Sequence, residues 1–316
     1  MKALLTTALI VSIAASVNAQ FSFAPFTAAQ DRGQREPDFD RMLQQQSETD
    51  KTWQSASDGT MQMEKITYHS RVGDLDIPAF VFQPLQIRGP KSHPALVWVH
   101  ENIRGHLYEH YIPYIREATA RGYVVIAPEY RGSIGYGKTF YDAIDYGGNE
   151  VDDVVTAVEI LKTKYPQVDP SRIGIMGWSH GGMITLLSIF RNPSRFKAAV
   201  AMVPVTNLFQ RLAWKGVERQ KQAIDPQNRY GGLPFERREV YKDRSPLYSV
   251  DKLQIPLFVA VTKNDDDDQA LMRRYHIVGP PDTLFYGADG SEKPALQLAG
   301  FEETAKFLAR VAAATK

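Results

Sequence analysis

The chain has 316 residues, 43% hydrophobic and 23% charged, a composition that suits one large α/β domain or one domain with an extension. A formal net charge of +1 gives no strong pull toward nucleic acid. The absence of cysteine excludes disulfides, thiolate catalysis and cysteine-ligated metals.

Residues 1–19 read as an export signal. Met1-Lys2 is a short positive start, an apolar run follows from Ala3 to Val17, and Val17-Asn18-Ala19 before Gln20 fits a small-x-small cleavage site. The run is shorter than the ~20 residues a membrane span needs. A periplasmic or secreted protein is expected, with no stable membrane span after cleavage. Residues 20–60 are polar and predict a solvated extension with one short helix near 39–46.

A regular pattern begins near residue 61 and runs to 316. Segments 61–69 and 75–83 predict a hairpin, and Pro78, which has no N–H to donate, suits an edge strand. Segment 94–100 is a continuous apolar run, as in a strand buried on both faces. A helix over 111–121, stopped by Gly122, precedes a strand over 123–128. Val154, Val155, Val158 and Leu161 recur at helical spacing within 152–164. A strand over 173–176, a buried helix over 183–190, and strands over 198–203, 256–261 and 283–286 follow, with a closing helix over 301–313. This alternation predicts an α/β fold with a mostly parallel central sheet and helices on both faces. Residues 204–250 interrupt the rhythm with a helix over 209–224 and a loop over 228–234. Such an insertion lies over the carboxyl ends of the strands, where open α/β sheets bind ligands. Its aromatic residues either line a substrate pocket or pack a surface subdomain.

The stretch that carries chemistry is Gly177-Trp178-Ser179-His180-Gly181-Gly182, between the strand over 173–176 and the helix over 183–190. Gly-x-Ser-x-Gly in a strand–turn–helix setting is the nucleophile-elbow pattern. A serine on so sharp a turn adopts strained backbone angles, and bulky residues two positions to either side collide with the strand and the helix. The helix N-terminus then aims free N–H groups at the reacting oxygen.

Several stretches together resemble the α/β-hydrolase superfamily, in particular the catalytic domain of the prolyl oligopeptidase family of serine peptidases. They are Tyr130-Arg131-Gly132-Ser133-Ile134-Gly135-Tyr136-Gly137, the Ser179 elbow, Arg244-Ser245-Pro246, and the strand over 256–261 running into Asp265. His100-Glu101-Asn102-Ile103-Arg104-Gly105 is more similar to dienelactone hydrolases of the same superfamily. The resemblance covers roughly 61–316 and implies an α/β-hydrolase fold. Large members of the peptidase family carry a β-propeller ahead of this domain. The stretch between the signal and the first strand is too short for one propeller blade of ~40–45 residues plus a linker.

The resemblance implies a triad in the order Ser, acid, His. Ser179 is the nucleophile. Asp265 in Thr262-Lys263-Asn264-Asp265-Asp266-Asp267-Asp268 is the matching acid, with Asp266 in reserve. The backbone N–H of His180 and that of Asn102 or Ile103 are the expected oxyanion donors. The family's histidine follows the last strand, but this chain reads Phe285-Tyr286-Gly287-Ala288-Asp289-Gly290-Ser291 there. His276 is the one histidine after Asp265. It lies in a helical-looking segment, where eight residues displace it by ~12 Å. His100, His106 and His110 near the third strand offer a rewired triad, whereas the side chain of His180 reads as packing. Loss of a triad member can leave ~10³–10⁴-fold acceleration over water. An active serine peptidase on short peptides, a carboxylesterase and a ligand-binding pseudo-hydrolase therefore stay open.

Three other patterns carry little. The aspartate run lacks the glycine and terminal glutamate of a calcium loop. His106 and His110 are four apart but have no third ligand in view, so no metal or cofactor is expected. Gly132 to Thr139 fits the phosphate-loop pattern but lacks room for the long helix that should follow it.

Overall fold

The computed structural model describes residues 37–213, 230–260, 282–286 and 298–299, and the single positions 295 and 313. By its contacts the chain divides after Asp38, and the elements below belong to the unit that begins at Phe39. The signal reading at 1–19, the helical-looking segment that holds His276 and the helix expected over 301–313 lie outside the described residues, the last but for Ala313.

In chain order the first elements are α1 (Phe39–Ser57), β1 (Gln62–His69), β2 (Asp76–Gln83), β3 (His93–Val99), α2 (Ile112–Ala120) and β4 (Val124–Pro128). Next come α3 (Gly137–Asp142), α4 (Asn149–Lys164), β5 (Val168–Trp178), α5 (His180–Arg191) and β6 (Ala198–Met202). The described part of the last third holds α6 (Leu208–Ala213), α7 (Arg238–Asp243), β7 (Leu257–Ala260), β8 (Asp282–Tyr286) and β9 (Leu298–Ala299). The strands order as β1-β2-β4-β3-β5-β6-β7-β8-β9. From β4 through β3, β5 and β6 to β7 every pairing is parallel, while β1–β2, β2–β4, β7–β8 and β8–β9 are antiparallel.

The apolar runs explain the centre. All five residues of β4 are buried, and β3 alternates its side chains between two cores. On one face Ala95, Val97 and Val99 meet Val154, Val155, Val158 and Leu161 of α4 and Ile184 and Leu187 of α5. On the other, Trp98, Phe80, Phe82 and Val125 meet Trp53 of α1 and Ile115 of α2. Both faces are covered, as a parallel centre requires.

Two expectations are corrected. Pro78 does not mark an edge strand: β1 is the edge, and β2 is paired on both sides. The β2–β4 ladder begins at Ala79, so Pro78 stands where that ladder ends. Its carbonyl accepts Glu129 N–H at 2.8 Å, and the N–H it lacks removes no interior rung. The helix near 39–46 is not a short piece of a solvated extension. It runs 19 residues to Ser57 and buries Trp53 completely. The indole N–H donates to Leu107 O at 2.9 Å, and the ring lies 4.8 Å from Phe82.

Within 204–250, α6 is the described start of the helix expected over 209–224. Ser245 ties the segment down. Its hydroxyl donates to Tyr241 O at 2.6 Å and accepts Leu208 N–H at 2.9 Å. The Arg244 guanidinium pairs with Asp145 at 2.8 Å.

Candidate active site

Sharp geometry sits where the elbow was expected. Ser179 joins β5 to α5 with φ 53° and ψ −112°, a conformation that costs a non-glycine residue about 1–3 kcal/mol. The surroundings over-determine it. A Cβ on Gly177 would lie 2.2 Å from Gly181 O, and one on Gly181 would lie 2.3 Å from Val99 O and 2.5 Å from His100 O. Both glycines are therefore required by backbone contact. Ser179 N–H donates to Met202 O at 2.8 Å, tying the turn to the end of β6, and Ser179 O accepts Met183 N–H at 3.0 Å.

The loop after β3 touches the elbow through that His100 carbonyl. Asn102 takes φ 66°, its carbonyl accepts Gly105 N–H at 3.0 Å, and its side-chain oxygen accepts Arg104 N–H at 3.2 Å. The Tyr130 hydroxyl lies 2.9 Å from Asn102 O and 3.2 Å from His100 O, so the loop is pinned from β4's end. Among the described residues, neither the His180 nor the Asn102 backbone N–H is committed to another acceptor. That leaves both available to an oxyanion.

Six of the seven histidines are described. None of them hydrogen-bonds the Ser179 hydroxyl; each has another partner. His100 is buried: Nδ1 is 2.8 Å from Glu101 O, Nε2 is 2.9 Å from Ser133 Oγ, and the ring stacks on Tyr130 at 4.2 Å. Burial pushes its imidazole down to about 3, so it is neutral at pH 7. His106 is bound by α1, with Nε2 3.2 Å from Gln45 Nε2 and Nδ1 3.4 Å from Thr49 Oγ1. His110 pairs with Glu101 at 3.3 Å. His93 bridges Arg88 N and Gly122 O, and His69 sits between Asp74 and Asp76 on β1. His106 and His110 also share no helix, because the 3-10 turn that holds His110 starts at Glu109.

His180 packs inward, as the sequence suggested for its side chain. Its ring lies 4.7 Å from that of Tyr146 and 5.9 Å from that of Tyr130. Nε2 approaches the fully buried Glu150 Oε1 to 3.3 Å, close enough for attraction but not aligned as a hydrogen bond. Burial alone would raise the Glu150 carboxyl; the adjacent imidazole and the Gly147 N–H outweigh it and hold the carboxyl below its usual value. Tyr146 continues to Tyr230 at 5.2 Å and Tyr230 to Tyr241 at 4.9 Å. Tyr230 and Tyr241 of the 230–250 stretch thus pack into the fold, whereas Phe235 and Tyr248 are exposed.

Sequence reasoning also missed the buried acid Glu129. Glu129 Oε1 accepts Leu107 N–H at 2.7 Å, and Oε2 stands 3.9 Å from His100 Nε2. Burial pushes this carboxyl up to about 8. The apolar strand that ends at Pro128 was the available signal, because the next residue emerges inside the core. The phosphate-loop pattern, by contrast, is a packed turn. A Cβ on Gly132 would lie 2.8 Å from Ile144 Cβ and one on Gly135 2.4 Å from Gln46 Cβ; α3 has six residues. Asp265, Asp266 and His276 lie outside the described residues.

The chain is similar to known proteins. The model of the prolyl oligopeptidase family matches residues 110–271. An uncharacterized peptidase of Bacillus subtilis, YuxL, is 32% identical over 208 residues, which cover 64% of this chain and 30% of that protein. Human dipeptidyl peptidase 8 is 29% identical over 150 residues, 45% of this chain and 17% of the relative. The solved acylaminoacyl peptidase of Pyrococcus horikoshii superposes with a TM-score of 0.58 at 23% identity, covering 72% of this chain and 36% of that one. That likeness shows the fold, which is the α/β-hydrolase fold. The chain spans well under half the length of the relatives it matches. No described helix is long and apolar enough to cross a membrane.

Proposed function

The chain belongs to the prolyl oligopeptidase family, and from that premise we propose that it is an exported serine peptidase acting on short peptides. The observation that carries the reading is the elbow: Ser179 held at φ 53° by two glycines in backbone contact, at the N-terminus of a buried helix. Ser179 Oγ attacks the scissile carbonyl carbon. Its proton passes to a base and then to the departing amine. The oxyanion is held by the N–H groups of His180 and Asn102. Water then attacks the acyl-enzyme, releases the acid and restores the hydroxyl. Asp265 remains the proposed acid, on the family resemblance. Export rests on the N-terminal run and its cleavage-like site.

One observation favours a second reading. All six described histidines are engaged away from Ser179. A pseudo-hydrolase that keeps the fold and binds a ligand explains that without a base. Turnover separates the two readings. The mature chain and Ser179→Ala are given short peptidyl anilides and matched p-nitrophenyl esters. Anilide cleavage lost in Ser179→Ala supports the peptidase. Ester cleavage alone identifies a carboxylesterase. Parent and variant equally inert on both series leave the pseudo-hydrolase.

A further inference from the structure

The loop after β3 holds a charge that acyl transfer does not use. Glu101 follows His100, whose carbonyl touches the elbow at Gly181. Its carboxylate is only 26% exposed, and its ion-pair partner among the described residues is His110 Nε2 at 3.3 Å, a group charged only when protonated. Among the described residues no lysine or arginine pairs with it. A half-buried carboxylate without a permanent countercharge is costly to maintain. Burial accordingly raises its proton affinity.

Aromatic rings surround that carboxylate. Glu101 N–H donates to the Tyr111 hydroxyl at 3.3 Å. Tyr108 lies parallel to the His110 ring at 5.4 Å, and His110 meets Tyr111 edge-on at 4.3 Å. Tyr111 in turn lies 6.3 Å from Trp178, the residue before Ser179. Two separate contacts, His100 with Gly181 through the backbone and Tyr111 with Trp178 through their rings, thus join the Glu101 loop to the elbow. Burial, with the Glu101 charge next in size, pushes the Tyr108 hydroxyl up to about 12, which places that ring within the carboxylate's field.

We propose that Glu101, with the partly exposed rings of Tyr108 and Trp178, forms a subsite for an ammonium group of the ligand that docks at Ser179. A carboxylate neutralises the cation through a charge-assisted hydrogen bond, and aromatic faces attract it through their quadrupoles. The same charge repels a carboxylate placed there, so the subsite discriminates as well as binds. That the ligand is a peptide rests on the peptidase reading; that it is cationic rests on Glu101. The ammonium comes from a free amino terminus or from a lysine side chain.

Calorimetry on the full chain carrying Ser179→Ala, which cannot turn over, tests this without catalysis. Three probes are used: alanyl-phenylalanine amide, its N-acetyl form, and N-acetyl-lysyl-phenylalanine amide. If the subsite takes the amino terminus, the first binds about tenfold or more tighter than the second and the third matches the second; if it takes a lysine side chain, the third binds about tenfold or more tighter than the other two. Adding Glu101→Gln erases the preference, Glu101→Asp restores part of it, and adding His110→Ala instead leaves it intact. Equal binding of all three probes, no binding of any, or a preference that survives Glu101→Gln overturns the proposal. The peptidase reading fails differently, through an unreactive Ser179, and such a failure leaves these binding differences in place.

Discussion

The elbow and the loop after β3 meet at one backbone contact, yet they are held by different means. The elbow is steric. Gly177 and Gly181 press on neighbouring backbone, Ser179 N–H is tied to Met202 O, and no side-chain bond is needed to fix the turn. The loop is held by side chains from distant segments. His100 bonds Ser133, Tyr130 grips two loop carbonyls, Glu129 takes Leu107 N–H, and α1 binds His106. Steric constraints of the first kind leave a local mark in the sequence, whereas polar constraints of the second kind leave almost none.

The comparison is open to attack at both ends. The largest effect is expected at the loop's support. Trp53→Ala removes a fully buried indole and its bond to Leu107 O, and should cost about 3–5 kcal/mol by urea denaturation. A cost near zero would return α1 to the solvated extension first expected. Gly181→Ala tests the elbow, because its methyl meets two carbonyls at 2.3 and 2.5 Å. A loss of about 1–3 kcal/mol, with Ser179 reactivity falling further than stability alone explains, is the predicted pattern. An unchanged melt and unchanged reactivity would show that the turn is not sterically fixed.

The loop's buried titratable pair gives a pH signature that the elbow lacks. His100 faces Glu129, His106 and His180, and its folded value of about 3 lies below the ordinary 6.5. Between those values the unfolded chain binds the proton first, so stability falls as pH drops from about 6.5 toward about 3. Glu129 faces Ser133, Lys65 and Asp50, and its folded value of about 8 lies above 4.5. Here the folded chain keeps the proton longer, so stability also declines as pH rises through that window. Melting temperatures across pH should show both limbs, and Glu129→Gln should flatten the alkaline one alone. The smallest effect is predicted for Thr49→Val, which removes the hydroxyl that contacts His106 and Glu109. It should cost about 0.5–1.5 kcal/mol, read from the denaturation midpoint.

This contrast also explains what the sequence made legible. The central strands were visible because runs such as Val124 to Pro128 are apolar on both faces. The elbow was visible because glycine spacing records backbone collisions. The helix α1 was misjudged because its buried side is largely polar: Gln46, Thr49 and Ser57 join Trp53, and their partners include His106 and Asp50. No periodic apolar stripe announces such a face. The histidines were the least legible. Nothing local tells that His106 belongs to a helix 57 residues upstream, or that His100 is occupied by Ser133, 33 residues downstream.

The central claim is that Ser179 is an activated nucleophile whose activation does not depend on the histidines held in the β3 loop. A fluorophosphonate probe, with the adduct located by mass spectrometry, tests this directly in the parent chain and in His106→Gln and His110→Gln. The account predicts labelling of Ser179 in all three at comparable rates and none in Ser179→Ala. A parent chain left unlabelled under conditions that modify a known serine hydrolase would contradict the nucleophile. Labelling lost in either histidine variant that remains folded would contradict the independence of the loop.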